Sequence, residues 1–423
     1  MSEQHPALGR VPGPPPLSRP AFAVGFFFSA RSAIVLFFVR VVGAEPRTGA
    51  SAAIAAELLL FALVGFHSFP AGRRAGNRSS IDSPPARWVL AYLAFACCSL
   101  MWSGTVSLAA SAAYWCGLAA DVAIVLILFD GGAAESVAYS LLKGYIWSSC
   151  GLALVAWILP VQADLRLGDP DYFNTNQIAN LCAFSLFFAQ ILMRRRDGRW
   201  GWHIFFLAIT LVRSLSKTTL AGFLIGQAIL LIQDRTMRRR TKVLLTTAAI
   251  LAVLAFWGLY EAYYDVYTTT GNQAETLTGR TAIWAWSFDA ALARPWLGNG
   301  FDSMWKVAPP IGPDRFEPRH AENELLQQFY AFGLVGIVLL AGLYGSLFLQ
   351  FRRYSDKSLK WVFVAMMVFV VIRGLAVAEP FDLLLPLWTI VVVSSLLNRD
   401  ARLRVPAADR PFAPSPVPSS RAR

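Results

Sequence analysis

Apolar residues run along this chain in blocks of about 20 positions, the length that crosses a bilayer as a helix. The blocks lie near residues 21–42, 50–70, 88–102, 106–129, 137–160, 173–193, 202–215, 217–233, 243–260, 325–349, 361–376 and 383–397. The pattern predicts an all-α, polytopic integral membrane protein of about twelve transmembrane helices. One interval breaks the rhythm. Residues 261–324 form a long polar excursion, opening beyond a ninth apolar block and closing at the start of the tenth. Proline-rich residues 1–20 and 401–423 are expected to be disordered cytoplasmic tails flanking a membrane domain over 21–400. The first block contains Arg31 and Arg40 and lacks a small-residue cleavage site, so it is expected to be a retained helix and not a signal peptide.

Composition agrees with this pattern. Only 15% of the 423 residues are charged and 56% are hydrophobic, against roughly 25% charged in soluble proteins. The net charge of +12 would suit a nucleic-acid partner if it formed a stripe, but it does not. Arginines gather in the joints at 73–87, 194–199, 235–242, 352–360 and 399–404. That is a topology signal: these joints face the cytoplasm, and 161–172, 214–217, 261–324 and 378–382 face outward. Nucleic acid is therefore not expected as a partner; the bilayer is. The five cysteines, Cys97, Cys98, Cys116, Cys150 and Cys182, lie in or beside apolar blocks without metal-ligand spacing, and are expected to be small buried residues.

No phosphate-cradling GxxxxGK[ST], HExxH or cysteine cluster is present, so ATP coupling and zinc hydrolysis lack support, and no metal or cofactor is expected. Asp169-Pro170-Asp171 has the look of a paired-aspartate metal site but suits a surface turn better. The outward joints carry the candidate chemistry. Lys217 follows Ser216 at a helix junction, with Arg213 one turn earlier. Arg280 heads a predicted helix over Thr281–Arg294 that ends at Pro295, with Trp284 and Phe288 on its face. His320 precedes the tenth block and Asn323 is its expected N-cap. Cations beside a helix N-terminus form a receptor for phosphate, and a histidine or carboxylate supplies a base. Each residue has a plainer alternative: interfacial anchoring for Arg280, snorkelling for Lys217, a surface or capping role for His320. Intramembrane Glu57, Asp121, Lys143 and Arg373 are either a proton path or paired structural charges. Gly333, Gly336, Gly342 and Gly345 are expected to serve close helix packing. Trp284, Trp286, Trp296 and Trp305 either stack sugars or sit at the interface.

Taken in order, these motifs resemble the bacterial O-antigen ligase and O-antigen/exopolysaccharide polymerase family of membrane glycosyltransferases. Asn323, nine residues, then Gly333-Leu334-Val335-Gly336 matches the family's His-Asn…Gly-x-x-Gly spacing. Gly279-Arg280, Trp284, Pro295, Gly298 and Gly300 match its Gly-Arg…Trp…Pro-x-x-Gly-x-Gly stretch. Trp102-Ser103 and Asn174-Thr175-Asn176-Gln177-Ile178-Ala179 resemble two upstream segments, so the likeness covers about residues 95–350. Two positions depart from the family. Glu322 stands where a histidine is usual, with His320 two positions earlier, and Lys217 stands for an arginine.

The resemblance implies transfer of glycan from an undecaprenyl-diphosphate-linked donor to a sugar hydroxyl, outside the bacterial inner membrane, metal-free and with inversion. Arg280, with His320 or Glu322 as base, would be catalytic. Lys217, Arg213, Asn323 and Trp284 would bind pyrophosphate or glycan. The acceptor would be another lipid-linked repeat for a polymerase, the favoured reading, or lipid A-core for an O-antigen ligase. Other polysaccharide-assembly proteins are candidate partners. The competing classes are a lipid-linked oligosaccharide flippase or transporter, which should show inverted repeats, and a non-catalytic partner of such a machine.

Overall fold

The computed structural model describes residues 16–68, 83–131, 134–162, 164–194, 200–235, 238–269, 280–310, 317–354 and 356–378. They form fourteen helices: α1 (Arg19–Ala30), α2 (Ser32–Arg40), α3 (Pro46–Ser68), α4 (Pro84–Ser99), α5 (Leu108–Gly131), α6 (Ala134–Ile158), α7 (Thr175–Arg194), α8 (Gly201–Arg213), α9 (Lys217–Gln233), α10 (Arg239–Ala255), α11 (Trp257–Thr269), α12 (Arg280–Ala293), α13 (Glu324–Arg352) and α14 (Lys357–Gly374). No strand occurs among the described residues, only an isolated bridge between Asp169 and Phe173. The all-α, polytopic reading stands.

The count of twelve is not reproduced among the described residues. Five helices are long and apolar enough to span, or up to seven if each bent pair is one span. The predicted block 383–397 lies outside the described residues. Two blocks are interrupted: α1 and α2 meet at Arg31 with a 55° bend, and α10 bends into α11. Within the predicted 261–324 excursion, α11 continues to Thr269 and α12 occupies Arg280–Ala293, one residue earlier than expected at each end.

Large apolar side chains point out of the bundle, among them Phe66, Trp202 and Ile232 at 73% exposure or more, as lipid-facing positions should. Inside, small residues bring helices close. A Cβ on Gly144 would sit 2.0 Å from the Phe22 carbonyl oxygen, so α6 and α1 touch backbone to backbone. Gly342 takes the Trp88 indole and Gly222 meets Phe369, which bears out the packing role of Gly342; Gly345 has nothing within 4 Å. The expectation for the cysteines needs correction. Only Cys182 is buried, while Cys98 and Cys116 are exposed on helix faces turned away from the bundle's interior.

Contacts sort the loops into two groups at opposite ends of the helices. At one end Arg194 bonds Asp234 and Ser358, and the Ser18 amide donates to Ser140 Oγ at 2.8 Å. At the other, Arg40 pairs with Asp169 at 2.7 Å, and Arg213 donates to the Leu165 carbonyl at 2.8 Å. There too Ser103 donates to Phe301 O at 2.6 Å, and Asn323 Nδ2 to Leu375 O at 2.9 Å. All the candidate site residues lie at this second end. Asp169 accepts from the amides of Asp171 and Tyr172, so Asp169-Pro170-Asp171 is the turn its sequence suggests.

Candidate active site

The site rests on a break in α13. Gly333 adopts φ 60°, ψ −151°, outside helical space, a conformation that glycine reaches without a Cβ penalty. The break frees carbonyls on one side and amides on the other, and the Pro295–Gly300 loop uses both. Asn299 N and Gly300 N donate to Tyr330 O (2.9 Å) and Ala331 O (2.8 Å). Leu334 N and Val335 N donate to Pro295 O (2.8 Å) and Trp296 O (3.4 Å). The exchange leaves no orphan among these groups, which is required at this depth. It also demands glycine on both partners: a Cβ on Gly298 would lie 2.5 Å from the Ala331 carbonyl carbon, and one on Gly333 2.5 Å from that of Trp296. The two glycine motifs are thus one latch. Trp102-Ser103 closes over it, with Gly104 N donating to Asn299 O at 3.0 Å and Ser103 lying where a Gly300 Cβ would go.

The latch fixes α12 against the head of α13 and so brings Arg280 to His320 and Glu322. Arg280 Nη2 lies 3.4 Å from Glu322 Oε2, and His320 Nδ1 lies 3.6 Å from Glu322 Oε1. Glu322 holds φ 51°, a strained value for a non-glycine residue, of a kind that gathers at functional sites. Its neighbours secure the turn. Ala321 N donates to Gln327 Oε1 at 2.7 Å, and Asn323 caps α13 by accepting from Leu326 N at 3.0 Å. With its other end on Leu375 O, the Asn323 carboxamide is engaged within the protein at both ends. Although 23% of the His320 side chain is exposed, its Nδ1 is buried. Burial depresses the His320 pKa below 6.5; Arg280, Arg319 and Arg373 act in the same sense and Glu322 opposes them. The ring is therefore neutral at pH 7 and able to accept a proton.

Lys217 joins this group from the far side. Its junction is held by Asn176, which accepts from Ser216 Oγ at 2.8 Å, while Asn174 caps α7 by accepting from Gln177 N at 3.0 Å. Lys217 Nζ lies over the Tyr263 ring at 5.3 Å and within the electrostatic reach of Arg166 and Arg280. Arg166 also covers Tyr263 and pairs with Asp164 at 3.1 Å. Sequence reasoning missed Arg166. It sits in a short loop with no motif, and only the fold brings it to Lys217. Arg213 stays apart from the centre and holds the Leu165 carbonyl of that loop. Trp284 is one turn along α12 from Arg280, and its buried Nε1 has no hydrogen-bond partner among the described residues.

The fold and site define an all-α, multi-pass membrane protein with a cation-rich centre at one end of its bundle. Comparison with known proteins gives a family likeness. Residues 202–341 match the model of the O-antigen ligase family, a stretch holding Lys217, Arg280, His320, Glu322 and the Gly333 break. Exopolysaccharide production protein ExoQ of Rhizobium meliloti (strain 1021) is 24% identical over 281 residues, covering 60% of this chain. The chain spans 62% of that relative's length. Motif order, family model and relative agree: the chain resembles the O-antigen ligase and exopolysaccharide polymerase family.

Proposed function

We propose that the protein is a membrane glycosyltransferase that moves lipid-linked glycan onto a sugar hydroxyl, in exopolysaccharide or O-antigen assembly. The observation carrying this reading is the convergence of Arg280, His320 and Glu322, with Lys217 and Arg166 alongside. Three cations held near one another favour a dianionic or more highly charged ligand, and the diphosphate of an undecaprenyl-linked donor is such a group. Trp284 Nε1 adds a donor unspent among the described residues.

In the proposed reaction the acceptor hydroxyl oxygen attacks the anomeric carbon and its proton passes to His320. The anomeric C–O bond breaks, and both electrons leave on the diphosphate oxygen, where Arg280, Lys217 and Arg166 stabilise the charge without a metal. Glu322, facing His320 Nδ1, orients the ring and stabilises the imidazolium that forms. A single displacement inverts the anomeric centre. The active end of the bundle then faces the periplasm of the inner membrane, as the arginine pattern indicates, and the prenyl chain stays in lipid. The acceptor we favour is a second lipid-linked repeat, making a polymerase; ligation to lipid A-core is the alternative.

The test is glycan size on a gel, in a null strain carrying His320→Ala or Glu322→Gln, with protein level checked. His320→Ala should abolish product, and Glu322→Gln should leave a measurable remainder. Single repeats accumulating would mark a polymerase, long unattached chains a ligase. Normal glycan from both variants would refute the site and favour the transporter or accessory-partner reading.

A further inference from the structure

A second polar group lies beside His320, and the transfer chemistry above does not use it. Trp305 carries Lys306 Nζ at 5.0 Å and Arg319 Cζ at 5.5 Å from its ring centroid. Both cations are exposed, and neither pairs with a carboxylate among the described residues. Asp302 stands nearby in the same loop, its Oδ2 accepting from Ser111 Oγ at 2.7 Å. Tyr114, on α5, is within electrostatic reach of both Asp302 and Arg319. Asp302 and Lys306 hold φ of 54° and 61°, so two of the five described non-glycine residues with positive φ fall here.

The two groups meet at one residue. His320 feels Arg280 from the first and Arg319 from the second. A base so placed would have the leaving group on one side and the attacking sugar on the other. The second group also has the makeup of a sugar subsite: an indole face, a tyrosine ring, a carboxylate to accept from hydroxyls, and spare cations. Two cations against one ring, paired to no acid among the described residues, leave a positive field there that a neutral sugar would not discharge. Arg319 offers the fork that binds carboxylate in bidentate fashion.

We infer that Trp305, Lys306 and Arg319, with Asp302 and Tyr114, form the acceptor subsite, and that it takes a carboxylate-bearing sugar. This rests on the glycosyl-transfer reading for its role in catalysis, but binding can be measured without turnover. Purified full-length protein in lipid nanodiscs is titrated with tetragalacturonic acid and with maltotetraose, a neutral tetrasaccharide, following tryptophan fluorescence.

The acidic tetrasaccharide should bind at least about 10-fold more tightly, the weight of one charge-assisted contact, and lose that margin as salt is raised. Arg319→Gln and Lys306→Gln should each erode the margin, Arg319→Lys should keep most of it, and Trp305→Phe should retain binding better than Trp305→Ala. Equal binding of the two sugars would overturn the proposal, as would a margin that survives Arg319→Gln in the monodisperse protein. If acid-selective binding persists while Arg280→Ala and His320→Ala strains make normal glycan, the subsite stands and the transfer reading falls. If those strains lose glycan and binding shows no acid preference, the transfer reading stands and the subsite falls.

Discussion

Two charge clusters in this protein share a similar inventory of residues and differ in balance. Within the bundle, Arg31 pairs with Asp121 at 2.7 Å and with Glu57 at 3.1 Å, where α1 breaks into α2. Glu57 and Asp121 share that one guanidinium, and their side chains are only 7% and 1% exposed. Both acids here have a cation in place. At the end of the bundle, Arg166 and Arg280 both act on the charge of Lys217, and among the described pairs Asp164 serves Arg166 while Glu322 is shared by Arg280 and His320. A cation with its acid already in place has its field spent; three cations set against two acids among the described pairs keep a net positive field. Of the two readings the sequence leaves open for Glu57 and Asp121, the geometry favours paired structural charges. Charge alone does not mark the site. The imbalance does.

The sharpest way to break the comparison is to remove one guanidinium from each cluster. Arg280→Ala should lower transfer by about 10²–10³-fold, the cost of one preorganised group at a developing charge, and leave the amount of folded protein unchanged. Arg31→Met should do the opposite, costing about 3–5 kcal/mol of stability by stranding two buried carboxylates. Thermal unfolding in detergent should show that loss, and adding Glu57→Gln and Asp121→Asn should recover most of it. If Arg31→Met unfolds at the wild-type temperature but makes no glycan, the inner cluster is functional and the contrast fails.

Between these extremes stands the latch. Gly333→Ala forces a Cβ to within 2.5 Å of the Trp296 backbone, at φ +60°. It should cost at least about 2 kcal/mol and, by loosening Arg280 from His320, reduce activity in the protein that remains folded. A circular dichroism melt together with glycan output measures both. Gly345→Ala, with open space around it, is the matched control and should melt like wild type.

How much of this was legible in the chain depends on how far apart the partners lie. The α12 helix, the Asn323 cap and the apolar blocks follow from local rules, because the cap reaches three residues and the helix ends at Ala293, just ahead of Pro295. The break at Arg31 did not follow, since the acids that bind its guanidinium stand 26 and 90 positions away. Gly333 and Gly336 read as packing residues. That holds for Gly333, but their spacing from Pro295–Gly300 could not reveal that amides and carbonyls are exchanged between the two motifs. Arg166 was invisible for the same reason, reaching Tyr263 across 97 positions. The site residues were found one by one. Their pairing was not.

The finest test concerns the proton. Burial holds the His320 pKa below 6.5, with three arginines adding to the effect. A base works only when deprotonated, so activity should rise with pH through that depressed value and be level from about pH 6.5 upward. Arg319→Gln takes away one of the cations that oppose protonation of the ring, so its acidic limb should move to higher pH, by less than about one unit for an exposed charge. Glu322→Gln takes away the one group that favours the imidazolium, so its limb should move to lower pH. The measurement is kcat/KM against pH on purified protein with a lipid-linked donor. Opposite displacements would tie the proton to His320 and set it between the two cationic groups. A limb that ignores both variants would assign the proton elsewhere, and the comparison would keep its charge imbalance but lose its base.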